Sequence, residues 1–167
     1  SGNAFELHLF DMPGYGAYNS DSGYSGPAVA DMILDFLEPD NIDTQLMLMD
    51  AGDDDGNGWF GSDEMSTLLN LKAPDVYNFS VTSEVGKRID AGDQDWWLQQ
   101  IANWLTFDLP NTQAGKNHVP VAVATSGDPA AGADSDYKHW MSVVGVRASE
   151  DPSPAGDTDV WGKSDTL

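Results

Sequence analysis

Apolar residues recur at helical spacing in the segment that follows residue 26. Pro27 suits the first turn of a helix, because the N–H that proline lacks would have no partner inside the helix there, and Pro39 ends the segment. The pattern therefore predicts a helix over residues 27–37. The face expected to be buried comprises Val29, Met32, Ile33, Phe36 and Leu37.

Three further segments are predicted to be helical, at residues 41–50, 63–71 and 95–105. A loop rich in glycine and aspartate, residues 51–61, separates the first two of them. The residues of the later helices that are spaced for the core are Met65, Leu68 and Leu69, followed by Trp96, Trp97, Ile101 and Leu105.

Strands are predicted at 4–11, 77–82, 119–125 and 140–146, where apolar residues alternate or form short continuous runs. The run at 119–125 is typical of a buried strand. With 167 residues and no visible linker or repeat, we expect one domain over residues 1–167. Because helices dominate the first part of the chain and strands the last, the expected fold class is α+β.

The chain is strongly acidic: 28 Asp and Glu residues oppose seven Lys and Arg residues, for a formal net charge of −21. Such a surface repels phosphates, so we expect no nucleic-acid partner and no anionic membrane partner. No apolar run reaches the length of a membrane span, and no signal peptide is visible. The excess of aspartate fits high-salt adaptation, divalent cation binding or an acidic extracellular protein, and we expect a secreted or extracytoplasmic location.

Two segments far apart in the chain carry the candidate chemistry. A polar loop leads through Ser25 and Gly26 directly into the predicted helix, in the run Ser-Gly-Pro-Ala, and His139 leads the run His-Trp-Met-Ser-Val-Val-Gly-Val. In these motifs the chain resembles papain-like cysteine peptidases, most closely the C39-like branch, which has Cys-Gly-Pro-Ala on the helix and His-Trp or His-Tyr on the strand. The resemblance covers residues 19–37 and 119–146.

The resemblance implies a papain-like fold, in which an N-terminal nucleophile helix packs on a C-terminal antiparallel sheet. It also implies that Ser25 occupies the nucleophile position and that His139 is the general base. A thiolate at a helix start gains from the positive end of the helix dipole, and a nearby imidazolium lowers its pKa further. Asn19, six residues before Ser25, would contribute to the oxyanion hole, where the family has glutamine.

The family also has a third residue, an Asp or Asn that orients the histidine. The candidates here are Asp151, Asp157 and Asp159. Asp159 is favoured, because its tetrad Asp-Val-Trp-Gly resembles the papain-type Asn-Ser-Trp-Gly motif.

Serine at the nucleophile position implies an inactive form of a cysteine peptidase, by natural loss or by deliberate substitution. The chain has no cysteine at all, which excludes disulfides and is compatible with a parent enzyme whose only cysteine was the nucleophile. Ser25 does not fit a serine-hydrolase elbow, because proline follows Gly26 where that motif has glycine and no strand leads directly into the residues before Ser25. The alternative is a non-catalytic pseudopeptidase, or a calcium-stabilised module that binds peptide or protein.

Residues 53–64 match the EF-hand calcium-loop pattern in full. In that pattern Gly58 makes the sharp turn, and six or more hard oxygens surround the ion. The predicted calcium ligands are Asp53, Asp55, Asn57, the backbone carbonyl of Trp59, and Glu64. The competing interpretation is an acidic turn between two helices. We expect no organic cofactor, a peptide or protein substrate, and a monomer.

Overall fold

The computed structural model of the protein describes residues 5–9, 11–18, 23–74, 94–106, 118, 120–126 and 137–148. Its elements in chain order are β1 (Phe5–His8), α1 (Ser25–Leu37), α2 (Gln45–Gly52), α3 (Ser62–Lys72), α4 (Gln94–Thr106), β2 (Val121–Ser126), β3 (Tyr137–Val143) and β4 (Gly145–Ala148). This part of the chain is a mixed structure of helices and two small antiparallel sheets.

Helix α1 begins two residues before the predicted start and ends where predicted. Pro27 is buried in its first turn, and Glu38, which precedes Pro39, has left the helical conformation, with a φ of −125° and a ψ of 86°, as proline disfavours helix in the residue before it. Four of the five residues on the predicted face are buried, while Met32 is half-buried. The face packs against α2, α3 and β3.

Local residues mark the starts of helices α2 and α3. The Thr44 hydroxyl accepts from the Met47 N–H at 3.3 Å, which explains why α2 starts at residue 45 rather than at 41. Helix α3 has Asp63 and Glu64 in its first turn and Lys72 in its last, as the helix dipole favours.

Helix α4 confirms the helix predicted at 95–105. Ile101 and Leu105 are buried as expected, and so is Ala102. The buried hydroxyl of Thr106 donates to the Ala102 carbonyl at 2.7 Å, which satisfies a polar group inside the core. The side chains of Trp96 and Trp97 lie outside the described set.

The two sheets share one run of chain. Strand β3 pairs antiparallel with β2, and β4 pairs antiparallel with β1, with only Val144 between β3 and β4. The single strand predicted at 140–146 is therefore two strands with different partners. Gly145 lies close to β1, because a Cβ there would be 3.0 Å from the Leu7 carbonyl oxygen.

Strand β1 confirms the first predicted strand over a shorter span, and β2 confirms the strand at 119–125, although residues 121–124 are half-buried rather than buried. The strand predicted at 77–82 lies outside the described residues. No helix in the described part of the chain combines the length and apolar character needed to cross a membrane.

One hydrophobic core joins the helices to the sheets. Its largest fully buried side chains are Phe60, Ile33, Leu34, Leu37, Leu48, Leu68 and Leu105. Trp140 of β3 and Val146 of β4 extend the same cluster. The start of α1 and the loop before α3 therefore lie against one continuous core, which positions the candidate site.

Candidate active site and adjoining acidic loop

Position 25 is the first residue of α1, and the helix begins there without a side-chain cap. Tyr24 at the cap position makes no capping hydrogen bond from its side chain, and the first turn contains no acidic residue. The free N–H groups of this turn give the helix start positive electrostatic character that no negative side chain of the turn offsets. Ser25, which is half-buried, is the first residue of this turn, so the helix start would favour an anion at this position.

The Ser25 hydroxyl contacts the strand that contains His139. Its Oγ accepts a hydrogen bond of 3.1 Å from the backbone N–H of Trp140, which directly follows His139 in β3. This bond joins residues that are 115 positions apart in the sequence. The structure therefore brings the helix start and the strand that carry the two principal candidates together.

The pairing of β3 is irregular beside His139. His139 is exposed and Trp140 is buried, as the alternation of a strand requires. Thr125 of β2 lies opposite His139, but Ser126 lies opposite Tyr137, so β3 has one extra residue directly before the histidine. Such bulges bend a strand and change the direction of its side chains, and they are frequent next to active sites.

Trp140 connects this site to the loop before α3. Its indole Nε1–H donates to the Phe60 carbonyl oxygen at 2.9 Å, and both residues are buried, with 6% and 1% of their surfaces exposed. A buried N–H and a buried carbonyl are thus paired with one another.

Residues 53–64, called the acidic loop below, pack tightly on the start of α1. A Cβ at Gly26 would lie 2.9 Å from three atoms of Phe60, so only glycine permits this approach. Gly23 has a φ of +75°, and a Cβ there would overlap the Gly58 carbonyl and lie 3.0 Å from the Trp59 ring. Two glycines that flank position 25 therefore bring the acidic loop against it.

Hydrogen bonds within the acidic loop curl its backbone. The Gly58 N–H donates to Asp53 Oδ2 at 2.9 Å, the Asn57 N–H to Asp55 Oδ1 at 3.0 Å, and the Trp59 N–H to Asn57 Oδ1 at 2.8 Å. Gly58 has a φ of +82°, which fits the sharp turn predicted there.

Glu64 closes the acidic loop from its far end. Its Oε1 accepts from the Gly61 N–H at 2.8 Å and its Oε2 from the Asp54 N–H at 2.6 Å. Oxygens of Asp53, Asp55 and Glu64 lie within 4.8 Å of one another. Carboxylates this close repel each other, and each of their oxygens has more than one lone pair, so the cluster could hold a cation.

Asp53 Oδ1 is a buried oxygen with no hydrogen-bond partner among the described residues. A buried acceptor without a partner typically costs about 1–3 kcal/mol. The other oxygen of the same carboxylate, Oδ2, accepts the hydrogen bond from the Gly58 N–H. Position one of the predicted calcium loop is thus an unsatisfied acceptor, which is the chemistry that a hard cation satisfies.

The loop that leads toward position 25 is attached to α2 through Gln45. The Gln45 Oε1 accepts from the Tyr18 N–H at 2.8 Å, and its Nε2 donates to the Gly16 carbonyl at 2.9 Å. The Tyr18 ring lies 5.4 Å from that of Tyr24, the residue before Ser25. These contacts fix the described part of the loop next to the helix start.

The outer side of α1 is acidic. The Tyr15 hydroxyl donates to Asp35 Oδ2 at 2.6 Å, and this hydrogen bond, with burial and with the charges of Asp35 and Asp31, raises the pKa of Tyr15 to about 12. Burial, followed by the charges of Asp35 and Asp43, raises the pKa of Asp31 to about 6. Ionisation of the Asp31 carboxyl is therefore less favourable in the folded protein than in water.

Two predicted site residues, Asn19 and Asp159, lie outside the described residues, as do Asp151 and Asp157. Their expected roles stay predictions.

Sequence reasoning missed the contacts of Trp140 and Phe60. Each of the two hydrogen bonds uses a backbone atom, the Trp140 N–H in one and the Phe60 carbonyl in the other. Because every residue type has a carbonyl and nearly every type an N–H, the side-chain types in the sequence do not predict these bonds. The signal available was the pair of glycines at 23 and 26, which permits close approach of another segment.

Comparisons of the chain with known protein families, with curated proteins and with solved structures found no match.

Proposed function

We propose that this chain is a papain-like cysteine peptidase domain of the C39-like type, inactive in this form because serine occupies the nucleophile position. The observation that supports the proposal best is the 3.1 Å hydrogen bond from the Trp140 N–H to Ser25 Oγ. It joins the first residue of a helix to the strand residue that follows His139. A nucleophile at a helix start and a histidine from a facing strand are the parts that such peptidases require.

A cysteine at position 25 would be activated by two effects. The uncapped start of α1 favours an anion there, and His139 would provide a proton acceptor that becomes a positive neighbour. Together these effects lower the pKa of a thiol well below its ordinary value of about 8.5. A serine hydroxyl has far too high a pKa to ionise in the same setting, which accounts for the inactive form.

The proposed reaction is acyl transfer to the thiolate. The sulfur attacks the peptide carbonyl carbon, the C–S bond forms, and the C–N bond then breaks as protonated His139 gives its proton to the leaving amine. Water next attacks the thioester and gives a proton to His139. The C–S bond breaks, the carboxylic acid leaves, and the thiolate returns.

Two further residues are proposed to support these steps. The Asn19 amide, together with a backbone N–H, would hold the negative oxygen of the tetrahedral intermediate. Asp159 would accept a hydrogen bond from the imidazole of His139 and so fix its orientation.

The acidic loop is proposed to bind Ca²⁺ as a structural clip. Support comes from the convergence of Asp53, Asp55 and Glu64 oxygens and from the buried Asp53 Oδ1 that lacks a partner. Asn57 and the Trp59 carbonyl would complete the ligand set. Because the acidic loop packs on Gly23 and Gly26, an ion there would stabilise the α1 start as well as the connection between α2 and α3.

The test is to restore the nucleophile and look for hydrolysis. A Ser25→Cys variant is incubated with a mixture of unstructured peptides, and mass spectrometry follows both new peptide termini and an acyl adduct on the protein. The controls are the Ser25→Cys/His139→Ala double variant and the unsubstituted chain with Ser25, called the parent chain below. The proposal requires cleavage by the single variant that the double variant loses.

The alternative function is a pseudopeptidase or calcium-stabilised module that binds a peptide without cutting it. Binding of unstructured peptides by the parent chain, with no cleavage or adduct from the Ser25→Cys variant, would favour this alternative and reject the peptidase proposal.

A further inference from the structure

We infer that Trp140 is a positioning residue for the nucleophile: its indole, bonded to the Phe60 carbonyl, holds the Trp140 backbone N–H against position 25. The inference rests on the proposed function, because the N–H acquires a chemical role only when a thiol stands there.

Trp140 is attached at two points. Its Nε1–H donates to the Phe60 carbonyl at 2.9 Å, and its backbone N–H donates to Ser25 Oγ at 3.1 Å. The indole is buried, so losing the bond to Phe60 would leave both a donor and an acceptor unsatisfied away from water. Rotation of the side chain or displacement of the strand at this residue is therefore unfavourable.

The acceptor on the acidic loop is equally fixed. Phe60 is 1% exposed, and its ring fills the space above Gly26 and Gly52, where added Cβ atoms would lie 2.9 Å and 2.7 Å from it. Its carbonyl oxygen is therefore held in place by packing on the start of α1 and on the end of α2. Two hydrogen bonds through Trp140 thus connect Phe60 of the acidic loop to the side chain of residue 25.

The chemical consequence follows from the charge of a thiolate. A hydrogen bond from an N–H to an ionised acceptor is about twice as strong as one to a neutral acceptor. An N–H that is already fixed toward position 25 therefore favours the thiolate over the thiol. Because His139 is the preceding residue of the same strand, the same anchor also limits movement of its backbone.

The first test uses the Ser25→Cys chain with and without Trp140→Phe. The thiol pKa is obtained from the pH dependence of alkylation by iodoacetamide. Loss of the indole anchor is expected to raise that pKa by about half a unit to one unit, so labelling well below the pKa slows by about three- to tenfold. Trp104→Phe, which removes an indole from the exposed side of α4, is the matched control and should leave the pKa unchanged.

The second test does not need a reactive thiol. In the parent chain, the residue 140 backbone amide and the Trp140 indole N–H should exchange slowly with deuterium in an NMR measurement. Ser25→Ala should speed exchange of the amide alone, and Trp140→Phe should speed exchange of the residue 140 amide relative to the parent.

The two tests separate the inference from the proposed function. A thiol of ordinary pKa in the Ser25→Cys chain would reject the proposed function and the activating role, while slow exchange that depends on Trp140 would still support the anchoring. An unchanged thiol pKa after Trp140→Phe, or a Trp140 indole that exchanges as fast as that of exposed Trp104, would overturn the inference even if the peptidase proposal holds.

Discussion

Asp31 is the residue whose ionisation opposes folding most clearly. Burial, and then the charges of Asp35 and Asp43, raises its pKa to about 6, above the ordinary value of 3.8. The folded chain therefore holds this proton more tightly than the unfolded chain does. Its contribution is fully present below pH of about 4 and is lost as the pH rises through about 6, so at neutral pH the ionised carboxyl lowers the free energy of unfolding.

We predict that Asp31→Asn stabilises the protein at pH 7 by about 1 kcal/mol, a value reduced for solvent screening of this partly exposed group. At pH 4 or below the gain should disappear, because the native carboxyl is then protonated as well. Thermal unfolding at the two pH values measures the difference.

Asp50→Asn is the matched control, because it removes the same charge from an exposed position on α2. An equal gain from both substitutions, or a gain from Asp31→Asn that is independent of pH, would contradict this account of Asp31.

The contact between α1 and the acidic loop decides how the elements around position 25 fit. Gly26→Ala adds a methyl group 2.9 Å from Phe60 ring atoms and its Cβ, which cannot move without disturbing the core. Although alanine favours a helix, we predict a net loss of about 1–3 kcal/mol from overpacking. Denaturant unfolding gives the value. Gly14→Ala, where no atom lies within 4 Å of an added Cβ, should be neutral; equal losses at both positions would contradict the contact.

The acidic loop makes a separate prediction about calcium. Ca²⁺ at about 100 times its Kd should raise the free energy of unfolding by about 2.7 kcal/mol, because it binds the folded loop and not the unfolded chain. Asp55→Asn, at a ligand position, should weaken this effect. Asp54→Asn removes the same charge one residue away, at a position outside the ligand set, and should retain it. Calorimetry with Ca²⁺ and with chelator tests both, and identical behaviour of the two variants would reject the ion site.

Helices and the acidic loop were predictable because their signals are local. The position of Pro27 and the spacing of Val29 and Ile33 mark α1, and glycine with aspartate at fixed offsets marks the loop. The division between β3 and β4 was not predictable, because Val144 looks like its neighbours and the change of partner depends on where β1 lies. The bulge before His139 and the carbonyl bonded by Trp140 likewise depend on tertiary packing.

Prediction of the site depended on a family resemblance, since a single serine before glycine and proline usually only caps a helix. The described contact of Ser25 with the residue after His139 is consistent with that interpretation. Asn19 and Asp159 were predicted from the same resemblance and lie outside the described residues, so they stay predictions.

Over the whole molecule, like charges dominate. With a formal net charge of −21, repulsion among carboxylates opposes the compact state. Added NaCl shortens the screening length from about 30 Å at 0.01 M to about 3 Å at 1 M, and so should stabilise the fold. A gain of about 1 kcal/mol would raise the Tm by about 2–4 °C.

The salt effect is separable from specific ion binding. It should be equally large in the parent and in Asp55→Asn, whereas the calcium effect should not. A Tm that is constant or falls between low and high NaCl would show that general repulsion is not a major cost for this fold.

We propose above that position 25 is built to activate a thiol. The most direct measurement is the rate of labelling of Ser25→Cys by an electrophilic thiol probe at mildly acidic pH, compared with Ser62→Cys, which places a thiol on the first residue of α3. We expect labelling at least about tenfold faster at position 25 than at position 62, because the thiol pKa at position 25 would be depressed. We also expect His139→Ala to remove the difference. Equal rates at the two helix starts, or a fast rate that survives His139→Ala, would contradict the proposed activation.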